Sequence, residues 1–369
     1  MVFSPFNFKR KRWDMGLFEA LGEVSGRIGR LLAEDDFPLG IEPEALRAAV
    51  RSYPLRGGKR LRPALLLWSC GALGGDPEKA LHAAAAVEVY HNWTLVHDDI
   101  IDEDLTRRGQ PSTHAELTAH AAAALGQGGR AAAKYGVDFA ILAGDLQQAW
   151  ANRLLLKAAQ DGVDAALVLA LAAELQDKVG RELISGEALD VEFPYRGLRA
   201  VGSDELRRML YLKTGALLSF CAEAGGKLAV GKPEGDARTV ALAEFAAAAG
   251  VAFQLRDDWL GVYGTAKLGK PICSDIRSAK PTLLLLKALE RLGFEGRGRL
   301  TSYLGAASFT EGQIAEIRSL ITASGAEAEI LAETEGLAAQ ARTALGRLPD
   351  NGHSRLLLEL NDYLVSRDY

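Results

Sequence analysis

The stretch "ALHAAAAVEVYHNWTLVHDDIID", residues 80–102, decides how this chain folds. Its apolar residues recur at three- and four-residue spacing, and alanine and leucine are strong helix formers, so pattern and propensity agree. The apolar positions cover most of the circumference, which places such a helix inside a large bundle rather than on its surface. Two further stretches read the same way: "AALVLALAAELQDKVGRELISGEALDVE" (165–192) and "TVALAEFAAAAGVAFQLRDDWLGVY" (239–263). β-branched alternation over four or more residues is almost absent. Turns are marked at "GALGGDP" (71–77), "FPYRG" (193–197), "GGKLAVGKPEGD" (225–236), "GTAKLGKP" (264–271) and "LPDNGHS" (348–354). None is long enough to divide the chain, and no fixed-period repeat stands out. The expectation is an all-α fold of roughly ten or more helices. It forms one domain over 15–369, preceded by a flexible basic and aromatic tail, 1–14.

Bulk properties narrow the function. Among 369 residues, 48% are hydrophobic and 25% charged, which suits a globular protein with a sizeable core. A net charge of −5 argues against general binding to a nucleic-acid backbone. Cys70, Cys221 and Cys273 lie far apart with no CxxC pair, so neither a disulfide framework nor a zinc site is indicated. They fit a reducing cytoplasm. No run of about 20 residues is apolar without charge, so no membrane-spanning helix is predicted. The start, "MVFSPFNFKRKRW", has aromatics before a basic cluster and lacks the apolar run of a signal peptide. It is a frayed tail or rests on a membrane surface.

The opening helix ends in acids. "HDDIIDEDLTRRGQPSTH" (97–114) places five acids within seven residues and follows them with Arg107 and Arg108. Helical residues three and four apart share a face, so Asp98, Asp99 and Asp102 converge on one small region. Carboxylate oxygens suit Mg²⁺, whose shell is completed by waters and substrate phosphates. A solvated acidic face would explain the acids alone, but Ile100, Ile101 and the preceding "WTLV" put the carboxylates at the edge of a buried helix. An EF-hand loop fails, because Ile100 falls at a ligand position and no glycine follows at the sixth. Arginine binds phosphate bidentately, so the pair suits a diphosphate beside the metal. The plainer alternative is that both arginines only neutralise Glu103 and Asp104.

"FQLRDDWLGVYG" (253–264) repeats the logic, with Asp257 and Asp258 on an apolar helix and Gln254 one turn earlier. Facing helices of a bundle build metal sites in this way. "LRGGKRLRP" (55–63) and "KLGKPICSDIRSAKP" (267–281) set Lys59, Arg62, Lys270 and Lys280 beside glycines that let backbone approach a phosphate. The Walker spacing is missing, and each segment alone would pass for a solvated turn.

Taken together, the chain resembles a trans-prenyl diphosphate synthase of the polyprenyl synthetase family, most like short-chain geranylgeranyl diphosphate synthases. The resemblance rests on "GGKRLRP", "LVHDDIIDEDLTRRGQPSTH", "LAGD" (142–145), "KTGALLS" (213–219), "FQLRDDWLGVYG" and "GKPICSDIRSAKPTLLLLKAL", in the family's order. It runs from about residue 50 to "LELNDYLVSRD" near the C-terminus. It implies an all-α isoprenoid-synthase bundle, commonly homodimeric, with a deep cavity between two aspartate-rich helices and three Mg²⁺ ions bridging an allylic diphosphate. Asp98, Asp102 and Asp257 would be metal ligands, with Asp99 and Asp258 supporting. Arg107, Lys213, Thr214, Lys270 and Lys280 would hold the allylic diphosphate, with Gln254 nearby. Lys59, Arg62, His91 and Arg108 would hold isopentenyl diphosphate. Metals and cations stabilise the departing diphosphate, the alkene attacks the allylic cation, and the released diphosphate takes the proton. His91 and His97 are therefore not assigned as bases.

Two positions depart from the family's pattern. Gly261 stands where the second motif usually ends in aspartate, and Ala279 stands where glycine usually precedes the lysine. The first motif has no two-residue insertion, which in this family points toward the geranylgeranyl type. Trp93 lies five residues before Asp98, about 7–8 Å deeper along the helix, and would floor the cavity, with Tyr90 a second candidate. Each is otherwise a plain core aromatic. A C20 product is expected ahead of C15 or C25. Two other readings compete: a type I terpene cyclase, which would need no second diphosphate site, and a non-catalytic subunit, which Gly261 and Ala279 motivate.

Overall fold

The computed structural model describes residues 15–264 and 272–367. The first half runs α1 (Met15–Glu34), α2 (Glu44–Leu55), α3 (Leu61–Ala72), α4 (Leu81–Ile101), α5 (Thr113–Leu125) and α6 (Gly129–Lys157). The middle supplies α7 (Ala165–Glu174), α8 (Arg181–Arg196), α9 (Ser203–Leu210), α10 (Ala216–Val230) and α11 (Ala237–Tyr263). Then come α12 (Ser274–Arg277), α13 (Leu283–Arg291), α14 (Phe294–Thr301), α15 (Glu311–Ala323), α16 (Ala326–Leu345) and α17 (Gly352–Ser366). Among the described residues the only paired strands are β1 (Thr106–Arg107) and β2 (Gln110–Pro111), two residues each and antiparallel. The all-α expectation holds. The tail expected at 1–14 and Lys270 lie outside the described residues.

Alanine explains how closely the helices pack. Ala83 to Val87 of α4 are buried on consecutive positions, so every face of that turn meets protein. α4 lies along α6, where Ala140, Ala143, Ala151 and Leu154 are buried against it. Short side chains on both helices let the axes come near the lower end of the 8–10 Å range for packed helices.

α11 ties two apolar cores together. Leu242, Phe245, Ala246 and Ala249 belong to a core shared with α1 to α4, α6, α10 and α17. Leu255 and Val262, further along the same helix, belong to a second core with α9, α12, α13 and α15. Its start is fixed by a capping box: the Asp236 carboxylate accepts from the backbone N–H groups of Arg238 (2.8 Å) and Thr239 (3.3 Å), and Thr239 Oγ1 accepts from the Asp236 N–H (3.0 Å). By length and composition α11 could cross a membrane. Here it is packed between α10 and α16, and its apolarity serves the interior. Gln254, Asp257 and Asp258 fall on α11 at the junction of the two cores.

Two π-helical turns, Leu175–Gly180 and Tyr211–Gly215, interrupt the regular helices. The second rests directly on α11, since a Cβ on Gly250 would meet the Gly215 Cα at 2.9 Å. Only glycine allows that approach, and it brings Lys213 and Thr214 alongside Gln254.

Asp35, in the turn after α1, anchors the opposite end of the bundle. Its carboxylate accepts from Trp150 Nε1 (2.9 Å), Arg153 (3.0 Å), Lys157 (2.6 Å) and the Phe37 N–H (3.0 Å) while its side chain is 2% exposed. Burial pulls the Asp35 pKa up, but Lys157 and the Phe37 N–H outweigh it and hold the carboxyl below its ordinary range. A lowered folded pKa means stability that is present above the unfolded value, near 3.9, and lost as pH falls through the folded one. Asp35→Asn should therefore cost about 1–3 kcal/mol at pH 7. The difference from wild type should shrink as pH falls below that unfolded value, as urea unfolding at pH 7 and at successively lower pH will read.

Candidate active site

The end of α4 sorts its three aspartates by direction. Successive helical residues point about 100° apart, so Asp98 and Asp102 share a side while Asp99 turns away. Asp98 and Asp102 border a cavity of about 420 Å³. Asp99 is fully buried beneath it. There it accepts from the Tyr53 hydroxyl and from Arg107, whose Nε lies 2.7 Å from Oδ1. The expectation that all three carboxylates converge is corrected here: two face the cavity and one braces an arginine.

Arg107 and Arg108 sit on a tight hairpin between β1 and β2. Arg107 pairs with Gln110 in register, and Arg108 and Gly109 occupy the two central positions with φ of 55° and 75°. Positive φ at both central residues is the signature of a type I′ turn. Arg107 reaches Asp98 (3.2 Å) and Asp99. Burial works against its charge, but Asp99 and Asp98 more than restore it, and its pKa is raised. Arg108 points elsewhere, donating to the Gly57 carbonyl at 2.6 Å in the "GGKRLRP" turn. Arg62 and His91 lie on that same side. Burial first, then the charges of Arg62, Arg108, Arg107 and Arg60, push the His91 pKa well below its ordinary value, so the ring is neutral at pH 7. Lys59 of the turn donates to Tyr363 Oη at 2.5 Å. A cationic cluster thus stands beside the acidic cavity and distinct from it.

Lysines supply the cavity's own positive charge. Lys213, on the second π turn, contacts Asp98 (3.0 Å), Glu187 (2.7 Å) and Asp190 (2.6 Å). Lys280 contacts the same Asp190 at 2.5 Å. Burial opposes the charge on Lys213, but Asp98, Asp190 and Glu187 raise its pKa above the ordinary lysine value. Lys280 is likewise raised against burial, chiefly by Asp190. Asp98 responds in the opposite sense: burial would raise it, and Lys213 with Arg107 brings it below its usual range.

The α11 wall is less well neutralised. Thr214 Oγ1 donates to Gln254 Oε1 (3.3 Å), and Gln254 Nε2 donates to Asp258 Oδ1 (3.3 Å). Burial, then the charge of Asp275, pushes the Asp258 pKa up to about 8. Asp257 is paired with Arg367, whose guanidinium also stacks 3.9 Å over the Phe253 ring. Ala279, beside Lys280, has φ of 52°, the left-handed conformation that glycine would adopt freely.

Lys59, Asp98, Asp102, Lys213, Thr214, Gln254, Asp257, Asp258 and Lys280 all line one cavity. Spacing pointed to its facing aspartates, Lys213 and Thr214 were expected from the family resemblance alone, and Lys59 was expected with the isopentenyl diphosphate group instead. Arg62, His91 and Arg108 form the neighbouring cluster. Trp93 (7% exposed) and Tyr90 (buried) stack edge to face at 4.8 Å further down α4, and neither borders the cavity as it stands. Sequence reasoning missed Tyr53, Glu187, Asp190, Asp275 and Arg367. Asp275 lies within a segment read only for its lysines, and Asp190 is one of four acids on α8 with nothing to single it out.

Acid-bearing ends of two apolar helices, facing each other over paired lysines, define an all-α enzyme that handles a strongly anionic ligand. The sequence profile of the polyprenyl synthetases matches residues 43–321, and the chain belongs to that family. Over 346 residues it is 35% identical to geranylgeranyl pyrophosphate synthase of Geoglobus acetivorans, covering 94% of this chain and 96% of that one. The crystal structure of geranylgeranyl pyrophosphate synthetase from Pyrococcus horikoshii superposes with a TM-score of 0.81 at 32% identity, over 95% of this chain and 98% of the other. A geranylgeranyl pyrophosphate synthase from Corynebacterium glutamicum, solved with isoprenyl diphosphate and magnesium, gives 0.80 at 29% identity, over 95% and 99%. The isoprenoid-synthase bundle expected from the sequence is the fold the chain has.

Two substitutions test the local energetics. Asp190→Asn removes the counter-ion shared by two half-buried lysines and should destabilise the protein by about 1.5–3 kcal/mol, the scale of a hydrogen bond to a charged group. Ala279→Gly relieves a left-handed alanine and should raise stability by up to about 1 kcal/mol. Denaturant midpoints of the purified variants read both.

Proposed function

We propose that the protein is a Mg²⁺-dependent prenyltransferase that condenses isopentenyl diphosphate with an allylic prenyl diphosphate. The product favoured is C20 geranylgeranyl diphosphate, with C15 or C25 within reach. The observation that carries this reading is the pairing of α4 and α11 carboxylates across one cavity holding Lys213 and Lys280, with a second cation cluster beside it. Two anionic groups are thereby offered separate places to bind. We further propose that residues 15–369 act as one domain, as a homodimer in the cytoplasm.

The donor set suits Mg²⁺, because every candidate ligand is a carboxylate oxygen. Among the described residues no three Asp, Glu, His or Cys side chains close on a single point. Diphosphate and water oxygens must therefore complete the shell. Asp98 and Asp102 on one wall and Asp257 on the other would hold the metal, three ions being expected, with Asp258 supporting. Bound there, Mg²⁺ would neutralise the diphosphate and ease its departure.

Lys213, Lys280 and Arg107 take the oxygens of the allylic diphosphate, with Thr214 and Gln254 beside them; Lys270, outside the described residues, is assigned to the same ligand from the family resemblance alone. When the allylic C–O bond breaks, its electron pair leaves with that diphosphate and these cations stabilise it. Asp99 serves by holding Arg107 in place. Lys59, Arg62, His91 and Arg108 hold isopentenyl diphosphate, whose alkene electrons form the new C–C bond. The proton then lost passes to the released diphosphate. His91, neutral among arginines, binds rather than abstracts. His97 sets Nε2 3.3 Å from the Ile141 carbonyl and is not assigned as a base. A terpene cyclase would have no use for the second cluster. A silent subunit would have no use for the lysines gathered at Asp98 and Asp190.

Purified protein incubated with Mg²⁺, isopentenyl diphosphate and one primer at a time tests the reading by mass spectrometry of the products. Dimethylallyl, geranyl or farnesyl diphosphate should be extended to C20, and failure with every primer overturns the proposal. Trp93→Ala should lengthen the product by at least one five-carbon unit; an unchanged length removes Trp93 as the floor and leaves Tyr90. Tyr53→Phe frees Asp99 from one donor. It should raise the KM of the allylic substrate several-fold, in the range expected for loss of one hydrogen bond to a charged group, with the KM of isopentenyl diphosphate little changed.

A further inference from the structure

Position 261 is where this chain departs from its family's second acidic motif. It falls four residues after Asp257, on the same side of α11, and Gly261 itself borders the cavity. A side chain there would point at the metal–diphosphate region, yet glycine offers none. The space is not left without a carboxylate. Among the described residues, a Cβ built on Gly261 has one heavy atom within 4 Å, and that atom is Asp275 Oδ2, at 3.5 Å.

We infer that Asp275 supplies to the metal–diphosphate site the carboxylate that position 261 lacks; this rests on the function proposed above. The backbone holds Asp275 at that spot. The Cys273 N–H donates to the Gly261 carbonyl at 2.8 Å, fastening the start of α12 to the end of α11. The Lys280 N–H donates to the Asp275 carbonyl at 2.8 Å, closing the turn that also delivers Lys280 to the cavity. Ile276, next in sequence, is buried in the second core. Cys273 and Ala279, either side of α12, both hold positive φ, so the segment adopts its shape against local preference. Asp275 borders the same cavity as Asp257 and Asp258. A carboxylate reaching the site from α12 in place of α11 gives oxygen at the same point by another route. It binds the ion directly or through one of its waters.

The test is the Mg²⁺-dependent binding of inorganic diphosphate to the full chain, measured by titration calorimetry with Mg²⁺ and again with EDTA. Asp275→Asn should weaken the Mg²⁺-dependent affinity about tenfold or more, the usual cost of losing a carboxylate at or near a bound ion. Its melting temperature in EDTA should stay near that of wild type. The double variant Gly261→Asp/Asp275→Asn restores a carboxylate from α11 and should recover most of the loss, since a Cβ at 261 meets only the residue-275 side chain. Wild-type binding by Asp275→Asn, or a double variant as weak as the single one, overturns the inference alone. Absence of any Mg²⁺-dependent binding by wild type overturns the site reading and this inference with it.

Discussion

Two lysine ammonium groups share one buried carboxylate, and the arrangement of charge around the cavity hangs from that contact. Asp190 on α8 is 5% exposed and lies within 2.6 Å of both Lys213 and Lys280. One lysine comes from a π turn and the other from the segment after α12, so three separate parts of the chain meet at one ion. The arrangement carries more positive than negative charge at that point until Asp98 and Glu187 are counted. Nearby carboxylates keep the lysines protonated despite burial, and the lysines keep Asp98 ionised. An anion arriving from solvent meets donors already oriented and largely stripped of water, which is where such contacts are strongest.

That geometry needs a rigid frame, and α11 provides it. A helix with one half in each of two apolar cores cannot rotate without disturbing both. Close packing at the Gly215–Gly250 contact fixes its distance from the lysine-bearing turn. The cavity forms where the cores meet and neither can fill the space. Its surroundings are therefore apolar while its lining is charged, a combination that shields a carbocation from water while anchoring the groups that create it.

Much of this was readable in advance. All-round apolarity of residues 80–102 and 239–263 gave the helices, and paired aspartates at the ends of two such helices gave the walls. Direction was misread for Asp99, although the 100° step between neighbours already set it apart from Asp98. The π turns leave no mark, because one extra residue in a helical course changes neither composition nor period enough to notice. Tyr53, Asp190 and Asp275 were illegible for a related reason. Each is one polar residue among several on its helix, and only the fold shows what stands opposite. Ala279 was seen as a departure from the family, but its left-handed backbone, which shows why glycine is usual there, needed the structure.

The hairpin at residues 106–111 has a mechanical meaning. Its two arginines are neighbours in sequence, one braced against Asp98 and Asp99, the other leaning on the "GGKRLRP" turn. A two-residue turn has no slack, so a pull on one guanidinium is transmitted to the other within a single peptide unit. If each arginine holds an anion, as proposed, any coupling between the two would by thermodynamic reciprocity be equal in both directions. On that reading the turn would be the shortest covalent link between the two substrates, a single peptide unit joining the residues that hold them.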